Sequence, residues 1–505
     1  MSYDALIIGG GSNALTAACY LAKSGRKVAI VCGENEKAGL CAKHEFYKGF
    51  QSPGILNDTS MVRDWVIDDL QLEQHGLRVS EKREVLVLGK NQHFTLSSNK
   101  AETIQSLKEI SELDATAYGK MNTYIDKVKG PISAFVNNIP ADIVDPKTSD
   151  LWSLFKRGFQ LRKLGKKDML EILRLAPMAI HDYLDEWFEN DSLKAALALP
   201  AVTESYSAPW AAGTNANFLI HQTTRGPGIE GEGLALTKAL LNAAESLGVS
   251  FETSSIHNRI IPGKGVELKN GKLLESKTIL SARSVKSTFL EMMDCNSLSH
   301  TFEQQIRNFR TRGLTSQLLL ALDCPPALPG NDNTNNYILA DELDHIERAF
   351  DPIKYNELPD NPVLEVYNPT LNHSELAPSG KTVLSVLVHY TPYDLEGGWS
   401  SEIKEKFSNR IIDLLDQKIS GIKKSVLGTV LLNPQDIETR YGLSGGQLYE
   451  GEHALDQLLV RPSPECCQYD TPFDGLYLCS GSTFPGGGLT CAPGALAAKK
   501  VNANL

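Results

Sequence analysis

Two glycine-rich stretches, one at each end of the chain, carry the residue spacings with the clearest chemical meaning. The first, Gly9-Gly10-Gly11-Ser12-Asn13-Ala14, follows the apolar run Ala5-Leu6-Ile7-Ile8 and precedes a helical pattern that reaches about Ser24. Such a turn binds a diphosphate. One glycine makes the sharp bend, a second lets backbone approach the phosphates, and a third small residue lies where helix meets strand. Gly9, Gly11 and Ala14 fill these places, alanine being an accepted variant at the third. The second stretch, Ser480-Gly481-Ser482-Thr483-Phe484-Pro485-Gly486-Gly487-Gly488, follows Leu476-Tyr477-Leu478-Cys479. A pyrophosphate turn at one end and a glycine-rich closing segment at the other predict one discontinuous dinucleotide domain, which points to a flavoprotein.

Other chemistry is sparser. The acid that hydrogen-bonds the ribose hydroxyls normally ends the second strand, about 20 residues on. Here Val28-Ala29-Ile30-Val31 ends in Cys32, and Glu34, two residues further, is offered for the role. His221 and Arg225, entering the turn 226–233, are candidates for substrate contact, although a lone histidine is more often a satisfied structural one. The sequence has no Cys-x-x-Cys pair, metal-ligand spacing, Ser/His/Asp layout or P-loop lysine, so no metal is expected.

The elements that must position these residues begin with a βαβ unit: strand, glycine turn, amphipathic helix ended by Gly25, strand. Residues 101–137 read as helical and mostly solvated, and 150–197 as helical with a basic start. Within 152–167, Trp152, Phe155 and Phe159 interleave with Lys156, Arg157, Arg162, Lys163, Lys166 and Lys167. That pattern suits an anionic membrane surface; the plainer and favoured reading packs the aromatic side onto the protein. A helix at 236–247 leads into strands near 249–252, 266–268 and 278–281. Runs at 315–323, 336–341, 362–368 and 382–391 predict a second sheet, and 401–419 a helix.

With 505 residues, 42% hydrophobic and 22% charged, the chain has the composition of a globular protein of two or three domains. A net charge of −11 argues against nucleic-acid binding. There is no run of 18 apolar residues, and a strand from about residue 4 leaves no room for a leader, so a cytoplasmic protein is expected. The nine cysteines, including the adjacent Cys466 and Cys467, read as free thiols of a reducing compartment.

The most specific stretch runs Gly445-Gly446-Gln447-Leu448-Tyr449-Glu450-Gly451-Glu452, Leu455-Asp456-Gln457-Leu458, Arg461-Pro462, and on through Pro485-Gly486-Gly487-Gly488 to Ala492-Pro493-Gly494. With Gln74-His75-Gly76-Leu77 and Asp185-Glu186-Trp187-Phe188, it resembles the phytoene-desaturase-like FAD-dependent oxidoreductases. These sit within the amine-oxidase-type flavoprotein superfamily, and the resemblance is to the branch of pyridine nucleotide-disulfide oxidoreductase domain-containing proteins. It covers nearly the whole chain. It implies an α/β protein with a Rossmann-type, three-layer FAD domain from 1–75, 226–295 and 440–505. An α+β substrate domain, from 76–225 and 296–439, would hold a mixed sheet and a helical insertion at about 100–200.

By the same resemblance, residues 9–14 (Gly9, Gly10, Gly11, Ser12, Asn13, Ala14), with Gly39 and Leu40, would contact FAD, as would backbone near Ile256. Ser480, Gly481, Gly487, Gly488 and Leu489 would lie along pyrophosphate and flavin. Tyr449, Glu450 and Glu452 would face the isoalloxazine side and, with His221, are the catalytic candidates. The chain departs from the pattern at Cys32, at Ala38-Gly39, at Gly231-Glu232, at Ser480, at Phe484 and at Glu450. Acid, glycine or histidine is usual at these places. The function expected is hydride removal from a hydrophobic small molecule, a polyene or an amine, in a mainly apolar tunnel. Two alternatives stay open: a redox-neutral flavin-dependent isomerase, and a non-catalytic scaffold with a degenerate FAD site. Homo- or hetero-oligomers and peripheral membrane contact are compatible with either.

Overall fold

Apolar runs from both ends of the chain meet in one parallel sheet. Its five strands lie in the order Leu476–Leu478, Ile279–Ser281, Ala5–Ile8, Val28–Cys32 and Ser250–Thr253, every neighbour pair parallel. The structure, a computed structural model, describes residues 2–90, 92–253, 259–329, 334–458 and 460–504. The three central strands are buried throughout, because both faces are covered. One face packs on helices Ser12–Lys23, Glu232–Ser246 and Ala492–Asn504 through Leu15, Ala18, Leu240 and Ala498. The other meets a three-stranded antiparallel sheet through Leu6, Val31, Ile260 and Val266. Small residues set the helix contact: a methyl at Gly494 would overlap the Asn13 carbonyl, so the closing and opening helices touch backbone to backbone.

The second sheet has seven strands, in the order Val426–Leu432, Thr315–Leu322, Thr382–His389, Leu364–Tyr367, Asn336–Leu339, Glu84–Leu88 and His93–Ser97. It is mixed, since Asn336–Leu339 pairs parallel to Glu84–Leu88 while the other pairs are antiparallel. Helix Ser401–Lys418 seals one face with Phe407, Ile411 and Leu415. The hairpin 84–97 and the strand Val426–Leu432, neither of them evident from the sequence pattern, form its two edges.

Two expectations about the helical region need correction. Helix Glu112–Val136 is not mostly solvated, because it buries Tyr118, Met121 and Ile125 in a core shared with Phe94, Leu184 and Leu193. Helix Thr148–Lys163 does not turn its aromatic residues inward. Trp152, Phe155 and Phe159 are 59%, 63% and 53% exposed, their rings in an outward-facing ladder. Arg157 is the side chain that reaches back, to the Ile139 carbonyl at 2.9 Å and over the Phe135 ring. Among the described residues no helix is long and apolar enough to cross a membrane. The described cysteines are free thiols, buried except for Cys324.

Candidate functional site

The glycine turn opens onto a cavity of about 540 Å³ that runs from the first helix to the closing segment. Gly9, at φ +110°, makes the bend and ties its amide to the Val31 carbonyl at 2.9 Å. Gly11 caps helix Ser12–Lys23 without a side-chain bond, and the first bond into the helix is Leu15 N–H to the Gly11 carbonyl at 3.0 Å. The amides ahead of it are the orphan donors of a helix start, carrying its partial positive charge toward the cavity. Residues 9–14, Gly39, Leu40, Gly481 and 487–489 all line this space.

The glycines divide into two kinds. A methyl at Gly10 would overlap the Glu36 carbonyl, one at Gly39 would lie 2.6 Å from the Gly11 Cα, and one at Gly487 would overlap Tyr449 backbone. These let one backbone lie on another. Gly11 is different: its φ of −79° suits any residue, and the nearest atom to an added methyl is the Gly39 Cα at 3.8 Å. Its hydrogens face open space, as a turn built for close approach of a diphosphate requires. The residues present therefore fit a dinucleotide.

The ribose end is corrected. Glu34 is exposed and does not line the cavity; Glu36 does. A single 3-10 turn, Glu34–Glu36, follows Gly33 and brings Glu36 back. Its carboxylate accepts the Gly33 amide at 3.0 Å and pairs with Arg283 at 2.9 Å. Ile256 lies outside the described residues. Ser480 is also off the cavity wall, its hydroxyl accepting the Ser482 amide at 3.1 Å. Glu232 points elsewhere too, held by Asn336 at 2.9 Å. Neither side chain plugs the cavity.

The turn from Gly445 brings the other candidates together, with unequal results. Glu450 lines the cavity at φ +59°, and one of its carboxylate oxygens has no hydrogen-bond partner. Burial pushes Glu450 up to about 7, against the pull of the Ser480 hydroxyl and of the Arg283 and Arg461 guanidinium groups. Tyr449 faces the far side, its ring against His453 at 5.1 Å. Glu452 is no catalytic candidate: it is buried in a clamp between Arg310 at 3.1 Å and Arg312 at 2.5 Å. The roles of His453 and Arg461 were not legible in the sequence. Arg461 is fully buried and binds the Gly481 carbonyl at 3.0 Å and the Ser482 carbonyl at 3.2 Å, stitching the closing segment to this turn. Burial lowers His453 to about 3, so it is neutral near pH 7.

Beyond Leu448 and 487–489 lies a second cavity of about 150 Å³, and beyond that a third of about 120 Å³. The wall of the second cavity is mostly apolar, as expected, with charged groups set into it. Leu56, Ile220 and Leu387 share the second cavity with Asp58, His221, Glu365 and His389. His221 lines both, and burial lowers it to about 3, with Arg225 adding to the effect. Asp58 pairs with Arg83 at 3.3 Å.

No family model matches this chain. Pyridine nucleotide-disulfide oxidoreductase domain-containing protein 2 of Rattus norvegicus is 28% identical over 100% of this chain and 94% of its own length. A limonene dehydrogenase polypeptide of Castellaniella defragrans is 25% identical over 99% and 94%, and 4,4'-diaponeurosporene oxygenase of Staphylococcus aureus 26% over 54% of each. By these relatives the chain resembles the phytoene-desaturase-like FAD-dependent oxidoreductases. Solved structures agree on the fold. An oxidoreductase from Methanosarcina mazei superposes with a TM-score of 0.59 over all of both chains at 15% identity. Putrescine oxidase bound to putrescine gives 0.59 over 100% and 99% at 12% identity.

Proposed function

We propose that the cavity over the opening helix holds FAD and that the adjoining one receives a small molecule whose carbon loses hydride. The observation that carries this reading is the shared wall: Leu448 and 487–489 border both spaces. Bound flavin supplies a two-electron acceptor. The protein's part is to bind, orient and exclude water. Amides at the start of helix Ser12–Lys23 would take the diphosphate, Glu36 the ribose, and the backbone of Gly481 and 487–489 the flavin. The mixed lining favours a substrate with an apolar body and a polar head, an amine or alcohol rather than a polyene. Anaerobic addition of a panel of amines, alcohols and polyene hydrocarbons tests this. Bleaching of the flavin band by an amine or alcohol is expected; bleaching by dithionite alone would instead support a redox-neutral isomerase.

The exposed ladder on helix Thr148–Lys163 supports a second element of the proposal, contact with an anionic membrane. Apolar Leu151, Trp152, Phe155 and Phe159 lie beside exposed Lys156, Arg162, Lys163, Lys166 and Lys167, on a chain whose overall charge is −11. Each lysine near an anionic surface contributes roughly 1 kcal/mol. Vesicles containing phosphatidylserine should co-sediment the protein, and K156E/K163E/K167E should abolish it. A wild-type protein that ignores such vesicles ends the proposal.

A further inference from the structure

The third cavity holds a charge left without a counterion. Arg225 directly follows helix Thr214–Thr224 and lines this space, and its guanidinium makes no hydrogen bond or ion pair among the described residues. The acids on the same wall are already engaged. Asp58 pairs with Arg83 at 3.3 Å and accepts the Ser60 amide at 2.8 Å, and Glu365 meets His389 Nε2 at 2.8 Å. Two further nitrogens of the lining residues, Arg83 Nε and His221 Nδ1, are buried and have no hydrogen-bond partner among the described residues. Backbone bonds hold the group together. The Gly226 amide donates to the Ser60 carbonyl at 2.7 Å, and the Arg225 amide to the His221 carbonyl at 3.0 Å. Buried polar groups rarely stay unpartnered without a reason. A free cation beside nitrogens that lack partners is the lining of an anion site.

We propose that the third cavity binds a carboxylate and that Arg225 is the residue that selects it. The proposal rests on the functional reading above and narrows the substrate to an amine or alcohol with a carboxylate remote from the carbon that is oxidised. Asn57, Asp58, Pro200, His221, Glu365 and Leu387 line both the second cavity and the third, so the two adjoin. A molecule whose reacting end lies by 487–489 can therefore extend its far end into the third cavity. Pro200 and Leu387 give its body an apolar stretch between the two ends. A guanidinium presents paired N–H groups in one plane, which match the two oxygens of a carboxylate. A singly charged head fits better than a phosphate, because Asp58 and Glu365 on the same wall repel further negative charge. Arg225 also stands at the negative end of helix Thr214–Thr224, which a cation there offsets. That role asks for no ligand and is separable by experiment.

Calorimetry of the FAD-loaded full chain with pentanoate, and with pentanamide as its neutral counterpart, tests the site without turnover. Wild type should bind pentanoate about 10-fold or more tighter than pentanamide, the margin of a charge-assisted pair. Arg225→Gln should erase the preference, and Arg225→Lys should keep part of it. If Arg225 serves only the helix end, Arg225→Gln lowers the melting temperature and leaves the preference intact, which overturns the proposal. Equal binding of the two probes by wild type overturns it as well. Turnover gives an independent reading. For the amine or alcohol that bleaches wild type, an analogue ending in a carboxylate should half-saturate flavin reduction at about a tenth of the concentration. Arg225→Gln should remove that advantage. No advantage in wild type would show that the carboxylate site does not select the substrate. If the protein takes up no flavin, the functional reading fails and the substrate role falls with it. The pentanoate measurement, made on the flavin-free chain, still decides whether a carboxylate binds at Arg225.

Discussion

Gly11→Val is expected to leave the protein folded and to weaken FAD binding about 100-fold or more. Most glycines around the site cannot make this distinction. A side chain at Gly10, Gly39 or Gly487 would strike backbone, so loss of flavin there could mean only loss of structure. At Gly11 the backbone angles are ordinary and a methyl meets nothing closer than 3.8 Å. Added bulk would occupy only the space into which the helix amides point. Keeping a diphosphate from those amides forfeits charge-assisted hydrogen bonds, and about 3 kcal/mol corresponds to roughly 100-fold in affinity. Flavin titration measures the affinity. Thermal melts should match wild type stripped of flavin rather than loaded wild type, because bound ligand itself stabilises. A variant that binds FAD normally would show that the diphosphate does not lie over this turn.

Glu450→Gln should stabilise the flavin-free protein at pH 8 and change little at pH 4. Burial holds the Glu450 carboxyl near 7, against 4.5 for an ordinary glutamate. The folded state therefore binds its proton more tightly than the unfolded state does. Stability from this group is complete below about 4.5 and is lost as the pH rises to about 7. The loss is on the order of 3 kcal/mol for a group so placed. Glutamine keeps the shape and never acquires the charge. It should also bind FAD more tightly above pH 7, since a carboxylate on the cavity wall repels a diphosphate. Denaturant unfolding at the two pH values measures the difference. An equal effect at both would mean that Glu450 titrates as an ordinary surface acid. Glu232, also pushed up to about 7 by burial, should behave in the same sense.

What could be read from the sequence was what is local. Strand, glycine turn, helix and strand over the first 32 residues follow from spacing alone, and the structure places them within a residue or two. Most strands of the second sheet were legible for the same reason, as runs of β-branched and apolar residues. The acid on the cavity wall was not, because a two-residue difference in a loop separates Glu34 from Glu36, and only the turn after Gly33 brings Glu36 back. The aromatic ladder at Trp152 was misjudged because amphipathic spacing does not say which face a helix turns to the protein. Glu452 looked like an active-site acid until Arg310 and Arg312, far away in sequence, closed on it.

The most direct measurement is the visible absorption spectrum of the purified full-length chain, with mass identification of whatever it releases on denaturation. A yellow protein that releases close to one FAD per chain is the predicted result. A colourless protein that also fails to take up added FAD would contradict the account at its foundation, leaving the glycine turn without the diphosphate it is built to receive.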